Sequence, residues 1–387
     1  MRQFHVLGAV LVAVALAGCG RESRTQNSAP TFTHLVSFGD SLSDLGSYRV
    51  GDVKAAGGGK YTVNTASGPT AQIWTELMAI QFALPAPCPA QTGLDGTGNN
   101  SQMPPKNIAD CFSYAQGGAM VTNPVGIGNK NSSTSAIASV GPLTLPVSQQ
   151  IQNHLNAVGG SFTGSEVVFV WAGGNDFFTW FGAVGQAAAA AAAKATASNA
   201  AAAAAAAAAA QTEVSLEGMR TAGTEMAGYV QTNLIGKGAR YVVVLSVPDV
   251  NASPFAAQYP GNSAVIATLV NGFNAQLRAG LNSPQVLYID LVQATANQIN
   301  HPTDFGISNA SKAACGTTSG LICTEATTAA TAVDTSRYFY ADTVHPTPYG
   351  HALLANLVHQ QMYARGWAQD WLMLFPARFQ NGAFLPF

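Results

Sequence analysis

From Thr33 onward the chain alternates short apolar runs with longer stretches of helical periodicity. The runs His34–Phe38 (HLVSF), Val167–Trp171 (VVFVW), Tyr241–Val247 (YVVVLSV) and Val286–Leu291 (VLYIDL) are rich in β-branched residues, and a Gly, Asn, Asp or Pro turn signal follows each. Short continuous apolar runs bounded in this way predict buried parallel strands. Between them the spacing predicts helices over Thr70–Ala83, Pro146–Val158, Gln211–Ile235, Ser263–Leu281 and Pro348–Gln361. Such alternation implies a parallel sheet covered by helices on both faces, with functional sites beyond the carboxyl ends of the strands. The stretch Ala86 to Pro142 is rich in Gly, Asn, Ser and Pro and carries few strand signals, so it reads as an excursion rather than a second domain.

Ala187 to Ala210 is alanine except for Lys194, Thr196, Ser198 and Asn199. Alanine favours helix without needing to pack, which predicts a long helix here. It is long enough to cross a membrane, but alanine is only weakly apolar, and a single crossing would put strands of one sheet on opposite sides. It therefore reads as a surface helical insertion at about 183–211, either a repeat expansion without a role or a lid or arm over the site.

Arg2 and the apolar run Val6–Ala17 (VLGAVLVAVALA), too short to span a bilayer, predict a signal peptide over residues 1–18. Leu16-Ala17-Gly18-Cys19 resembles the lipobox of bacterial lipoproteins. That resemblance implies a diacylglyceryl group on Cys19 and, with Gly20 rather than aspartate next, an outer-membrane anchor; without lipidation the protein would be periplasmic or secreted. Residues 19–31 then form the lipid-bearing cysteine and a polar, flexible tether, and residues 32–387 a single domain.

Composition narrows the field. Charged residues make up only 9% of the 387, and 17 Lys+Arg against 19 Asp+Glu leave no basic excess to neutralise phosphates, which excludes nucleic acid as a partner. Apart from Cys19 there are four cysteines, Cys88, Cys111, Cys315 and Cys323, an even number that suits disulfides in an oxidising compartment. Three connectivities are open; proximity favours Cys88–Cys111 and Cys315–Cys323, worth ~3 kcal/mol each at best. No C-x2-C pair or finger-spaced His accompanies them, which argues against a zinc site, and serine chemistry of the kind described next requires neither a metal nor an organic cofactor.

The chemistry gathers at strand ends. Ser41 in Phe38-Gly39-Asp40-Ser41-Leu42-Ser43-Asp44 directly follows the first strand, where a hydroxyl is exposed at the sheet edge beside helix N–H groups, as a nucleophile would be. No stretch fits G-x-S-x-G. Of the seven histidines, His5 leaves with the signal peptide, while His34, His154, His301 and His351 read as structural, solvated or isolated. His345 is the best candidate base, because Asp342 stands three residues ahead and can fix its tautomer. Donors for an oxyanion are offered by the Gly-rich turn Ser113–Ala119 and by Gly173-Gly174-Asn175-Asp176. Asp40 and Asp176 are expected to orient loops by hydrogen bonding. The aromatic run Phe177-Phe178-Thr179-Trp180-Phe181 reads as core packing, or else as an apolar wall for an acyl chain.

The order GDSLSD, YAQGGA, GGND and DTVHP resembles the GDSL or SGNH hydrolase family, from Thr33 to about Gly366. The resemblance implies an SGNH fold, a flavodoxin-like three-layer α/β/α sandwich with a central parallel sheet, and serine ester hydrolysis. It carries the nucleophile to Ser41, acid and base to Asp342 and His345, and oxyanion donors to the Ser41 and Gly118 N–H groups and the Asn175 side chain, with Gly117 the alternative if the turn is shifted. Lys60-Tyr61-Thr62, Gly68-Pro69 and Trp74-Thr75-Glu76 are similar to the G-(R/K)-(F/Y)-(S/T)…G-P…W-x-E stretch of a lipase and esterase branch shared with outer-membrane autotransporters. Here no length remains for a barrel before Phe387, so lipid would supply the anchor; Ser47 also stands where that branch often has Asn. The implied substrate is an acyl ester of a lipid or small alcohol. An O-acetyl carbohydrate esterase and, further off, a non-catalytic envelope-binding lipoprotein are the alternatives.

Overall fold

The computed structural model describes residues 29–65, 71–97, 102–132, 139–328 and 334–369, and the backbone of 379–380 and 383–384. The signal peptide, Cys19, most of the tether and Gly68-Pro69 lie outside the described residues. In chain order the elements are β1 (Leu35–Gly39), α1 (Gly51–Ala55), α2 (Trp74–Gln81), β2 (Gln91–Asp95), β3 (Gln102–Asn107), α3 (Val147–Ala157), β4 (Val167–Trp171), α4 (Gly174–Lys194) and α5 (Ala200–Tyr229). There follow β5 (Tyr241–Leu245), α6 (Ser263–Gly280), β6 (Val286–Ile289), α7 (Leu291–Asn300), β7 (Asn309–Ala313), β8 (Tyr338–Tyr340) and α8 (Pro348–Ala364).

The expected runs form one parallel sheet in the order β1-β4-β5-β6. Its outer flank is extended by the segment around Ser113, which bridges Ser37 in parallel: Ser37 N–H donates to Phe112 O (3.1 Å) and Tyr114 N–H to Ser37 O (2.8 Å). Counting that segment, the order is that of a flavodoxin-like sheet, whose crevice opens where the chain reverses direction beside β1. Side chains alternate across it with the period of two that a strand imposes. Val36, Phe38, Val168, Val170, Val242 and Val244 pack with α3, α5 and α6, while Leu35, Val167, Phe169, Trp171, Val243 and Leu245 pack with α2 and α8. At ~1.5–3 kcal/mol for each large apolar side chain removed from water, these two clusters hold the three layers together.

Several elements differ from the sequence reading. The last strand ends at Ile289, not Leu291, because the Asp290 carboxylate accepts the Val292 N–H (3.0 Å) and starts α7, a helix the pattern did not signal. The excursion carries a hairpin, β2–β3, despite its weak strand signals. The alanine-rich stretch is not one long helix: α4 stops at Lys194 and α5 starts at Ala200, packed alongside it. The break falls on Thr196, Ser198 and Asn199, residue types of low helix propensity; Asn199 N–H donates to Thr196 O (2.9 Å), the Thr196 and Ser198 hydroxyls bond each other (3.2 Å), and Asn199 O accepts from Ala203 N–H at the start of the next helix. No residue from Gly185 to Val214 is buried. Among the described residues no helix is long and apolar enough to cross a membrane.

Both proximity-favoured disulfides are closed, Cys88–Cys111 and Cys315–Cys323. The first ties the excursion to the segment that flanks β1. The second closes a loop whose function is to be found at the site.

Candidate active site

Ser41 follows β1 through Gly39 and Asp40, and that turn is locked from α3: the Gln150 side chain accepts the Gly39 N–H and donates to Gly39 O, each at 2.8 Å. Asp40 accepts the Leu42 N–H at 3.0 Å, and the Trp74 indole donates to Leu42 O at 3.1 Å. The serine is thereby held by α2 and α3 together. Its Oγ lies 2.8 Å from His345 Nε2.

On the other side of the imidazole, His345 Nδ1 lies 2.8 Å from Asp342 Oδ2 and 2.9 Å from Oδ1. Asp342 also accepts backbone N–H groups of Val344 (3.0 Å), His345 (2.9 Å) and Gly320 (2.7 Å). Burial alone would raise the Asp342 pKa, but the facing imidazole and these donors outweigh it and bring it down to about 2. A carboxylate so fixed places the proton on Nδ1 and leaves Nε2 free to accept from Ser41. Gly320 belongs to the Cys315–Cys323 loop, which Asn64 fastens from the opposite side by donating to Gly320 O and Cys323 O, both at 3.0 Å.

The Gly-rich turn and the start of α4 meet across the serine. Gly118 adopts φ +80°, and a side chain there would run into Ile127 O at 2.1 Å, so only glycine lets the backbone pass. Asp44, in the serine loop, accepts the Gly117 N–H at 2.8 Å, and the Tyr48 hydroxyl donates to Gly117 O at 2.7 Å. From α4, Asn175 donates to Ala119 O (2.9 Å) and Asp176 accepts the Val121 N–H (3.1 Å). Asp40 thus braces the serine turn from within and Asp176 bonds across to the Gly-rich segment, and burial pushes both carboxyls up to about 7.

A cavity of about 430 Å³ has Ser41, Gly118, Asn175 and His345 in its wall. It spans both faces of the sheet edge, with Phe178 and Phe255 on one side and Leu291, Leu354 and Leu357 on the other. The aromatic run divides: Phe177 and Phe181 are core, while Phe178 faces the cavity. Among the described residues the other histidines stand apart from Ser41. His154 is buried among Phe38, Phe112, Tyr114 and Phe162, and His351 is fully buried in α8; burial lowers their pKa values to about 4 and about 3. His34 and His301 are exposed. Ser47 is buried and donates to Ala115 O at 3.1 Å, bracing the Gly-rich turn. Among the described residues no group of three or more His, Cys, Asp or Glu side chains is placed to hold a metal.

The supports from Gln150, Asn64, Asp44 and Tyr48 were not legible in advance. Gln150 and Gly39 are 111 residues apart, and no local pattern joins them.

A flavodoxin-order sheet with this serine, imidazole and carboxylate at its carboxyl edge defines a class, the hydrolases of the SGNH fold. The chain belongs to the GDSL-like Lipase/Acylhydrolase family, whose model matches residues 35–358. It is also similar to the GDSL esterase/lipase At2g40250 of Arabidopsis thaliana, 26% identical over 98 residues, which are 24% of this chain and 26% of that protein. The chain therefore matches about a quarter of that relative's length.

Proposed function

We propose that the protein hydrolyses carboxylic esters through an acyl-enzyme on Ser41. The observation that carries this reading is the unbroken series Asp342–His345–Ser41, with heavy-atom distances of 2.8 Å at both joints. His345 takes the Ser41 proton as Oγ attacks the ester carbonyl, and Asp342 stabilises the imidazolium that forms. Backbone N–H groups of Ser41 and Gly118 and the Asn175 amide receive the oxyanion; loss of one such donor costs ~10²–10³ in rate. His345 returns the proton to the leaving alcohol, and water then releases the acid by the same route.

The wall contributed by Phe178, Phe255, Leu291 and Leu354 favours an apolar acyl or alcohol part over a sugar, which sets the O-acetyl carbohydrate reading behind the lipid or simple ester one. We assign the protein to the bacterial envelope, exported by residues 1–18 and anchored by lipid on Cys19, on the strength of the lipobox-like sequence Leu16–Cys19. Mass spectrometry of the mature N-terminus tests the anchor: a diacylglyceryl cysteine is expected, and an unmodified cysteine would remove it. For the chemistry, a fluorophosphonate probe should label Ser41 in folded protein and fail to label protein that has been heat-denatured beforehand. Labelling elsewhere, or none, would count against the acyl-enzyme.

A further inference from the structure

Tyr61 is buried, with 8% of its surface exposed, yet it forms part of the cavity wall beside Ser41 and His345. Its ring lies 4.9 Å from the His345 ring, centroid to centroid, at 36°. Its hydroxyl lies hard against the Gly-rich turn, since a side-chain carbon added at Gly117 would come within 2.2 Å of Oη. The backbone on either side is pinned. Lys60 pairs with Glu76 at 2.7 Å, and the Thr62 hydroxyl donates to Pro346 O at 2.9 Å, next to His345. The neighbouring Tyr48 hydroxyl both donates to Gly117 O and accepts from Thr144 N–H, so the carbonyl of the turn beside Tyr61 is already engaged. With Tyr61 in the cavity wall, its hydroxyl is available to a group that enters the cavity.

We propose that the Tyr61 hydroxyl is a hydrogen-bond donor to the ester bound in the cavity, set between the imidazole and the Gly117–Gly118 turn, and that its ring holds the His345 imidazole in place. The proposal rests on the Ser41 reading. Burial, with Asp44, Asp342 and Asp40 nearby, keeps the phenol well above its ordinary pKa, so it remains a protonated donor at neutral and mildly alkaline pH. The partner of that donor is an ester oxygen as charge develops on it, which ties the effect to turnover more than to binding.

Tyr61→Phe keeps the ring and removes the donor; Tyr61→Leu removes both. With p-nitrophenyl butyrate and the full chain, Tyr61→Phe should lower kcat about tenfold, the order expected for one neutral hydrogen bond, with KM within about twofold and an unchanged thermal midpoint. Tyr61→Leu should lower kcat further and move the acidic limb of the kcat/KM pH profile, which Tyr61→Phe should leave in place. Wild-type kcat in Tyr61→Phe, or a loss that follows a fallen thermal midpoint, would overturn the donor. An unmoved acidic limb in Tyr61→Leu would overturn the ring's role. Ser41→Ala separates the two levels: if hydrolysis survives it, or if the wild type hydrolyses no ester, the serine reading falls and this proposal with it. If Ser41→Ala abolishes activity while Tyr61→Phe is fully active, only this proposal falls.

Discussion

Asp342 accepts four hydrogen bonds in a buried setting, three of them from backbone, so its orientation does not depend on the imidazole alone. Asp342→Asn should therefore fold normally and still lose roughly 10³–10⁴ in kcat, because the amide cannot enforce the Nδ1–H tautomer. An activity within tenfold of wild type would remove Asp342 from the mechanism. His154 presents the opposite case, a buried imidazole whose two ring nitrogens find no partner among the described residues. Its pKa is lowered from 6.5 to about 4, so between those values the unfolded chain binds a proton that the folded one refuses, and stability is lost as pH falls through that window. His154→Phe should raise stability by about 1 kcal/mol at neutral pH, and by more at pH 5, read from urea denaturation at each pH. The sequence made Ser41, Asp342 and His345 legible because each sits in a local block. It left Gln150, Asn64 and Tyr61 unassigned, because their roles are set by partners or neighbours tens to hundreds of residues away.

Elements follow the same division between local and distant causes. Runs such as VVFVW and YVVVLSV announce strands because a strand buried on both faces needs no alternation. The hairpin β2–β3 and helix α7 gave no such signal; the first is mostly exposed and rich in polar residues, and the second begins by a single aspartate cap. In the alanine-rich stretch propensity correctly marked helix, yet three small polar residues turn the chain back on itself. No residue between Gly185 and Val214 is buried or faces the cavity. Replacing 187–210 by a short turn should leave kcat on soluble esters within about threefold. A larger loss would make the hairpin part of the catalytic unit rather than an appendage. By contrast, the Lys60–Glu76 pair is nearly enclosed, with side chains 5% and 18% exposed. Glu76→Ala strands the Lys60 charge, and it should cost ~3–5 kcal/mol in denaturation experiments, well beyond the effect of cutting the exposed Arg220–Glu217 pair.

At the scale of the whole molecule, one sheet edge gathers blocks that lie up to 304 residues apart, as the Ser41–His345 bond records. Gathering them there buries Asp40 and Asp176, whose pKa values rise from 3.8 to about 7. Each therefore holds a proton in the folded state that it lacks in the unfolded state between those values, a contribution to stability that is lost as pH rises through about 7. The thermal midpoint should fall from pH 6 to pH 8.5, and Asp176→Asn, which keeps an acceptor for Val121 N–H, should flatten that fall; equal slopes in the two proteins would show that Asp176 is ionised throughout. The central claim, an acyl-enzyme on Ser41, is tested most directly by hydrolysis of p-nitrophenyl esters from acetate to palmitate, with wild type beside Ser41→Ala. The account predicts turnover in the wild type and a loss of at least about 10³-fold in the variant on every chain length that the wild type accepts. Equal rates in both proteins would contradict it.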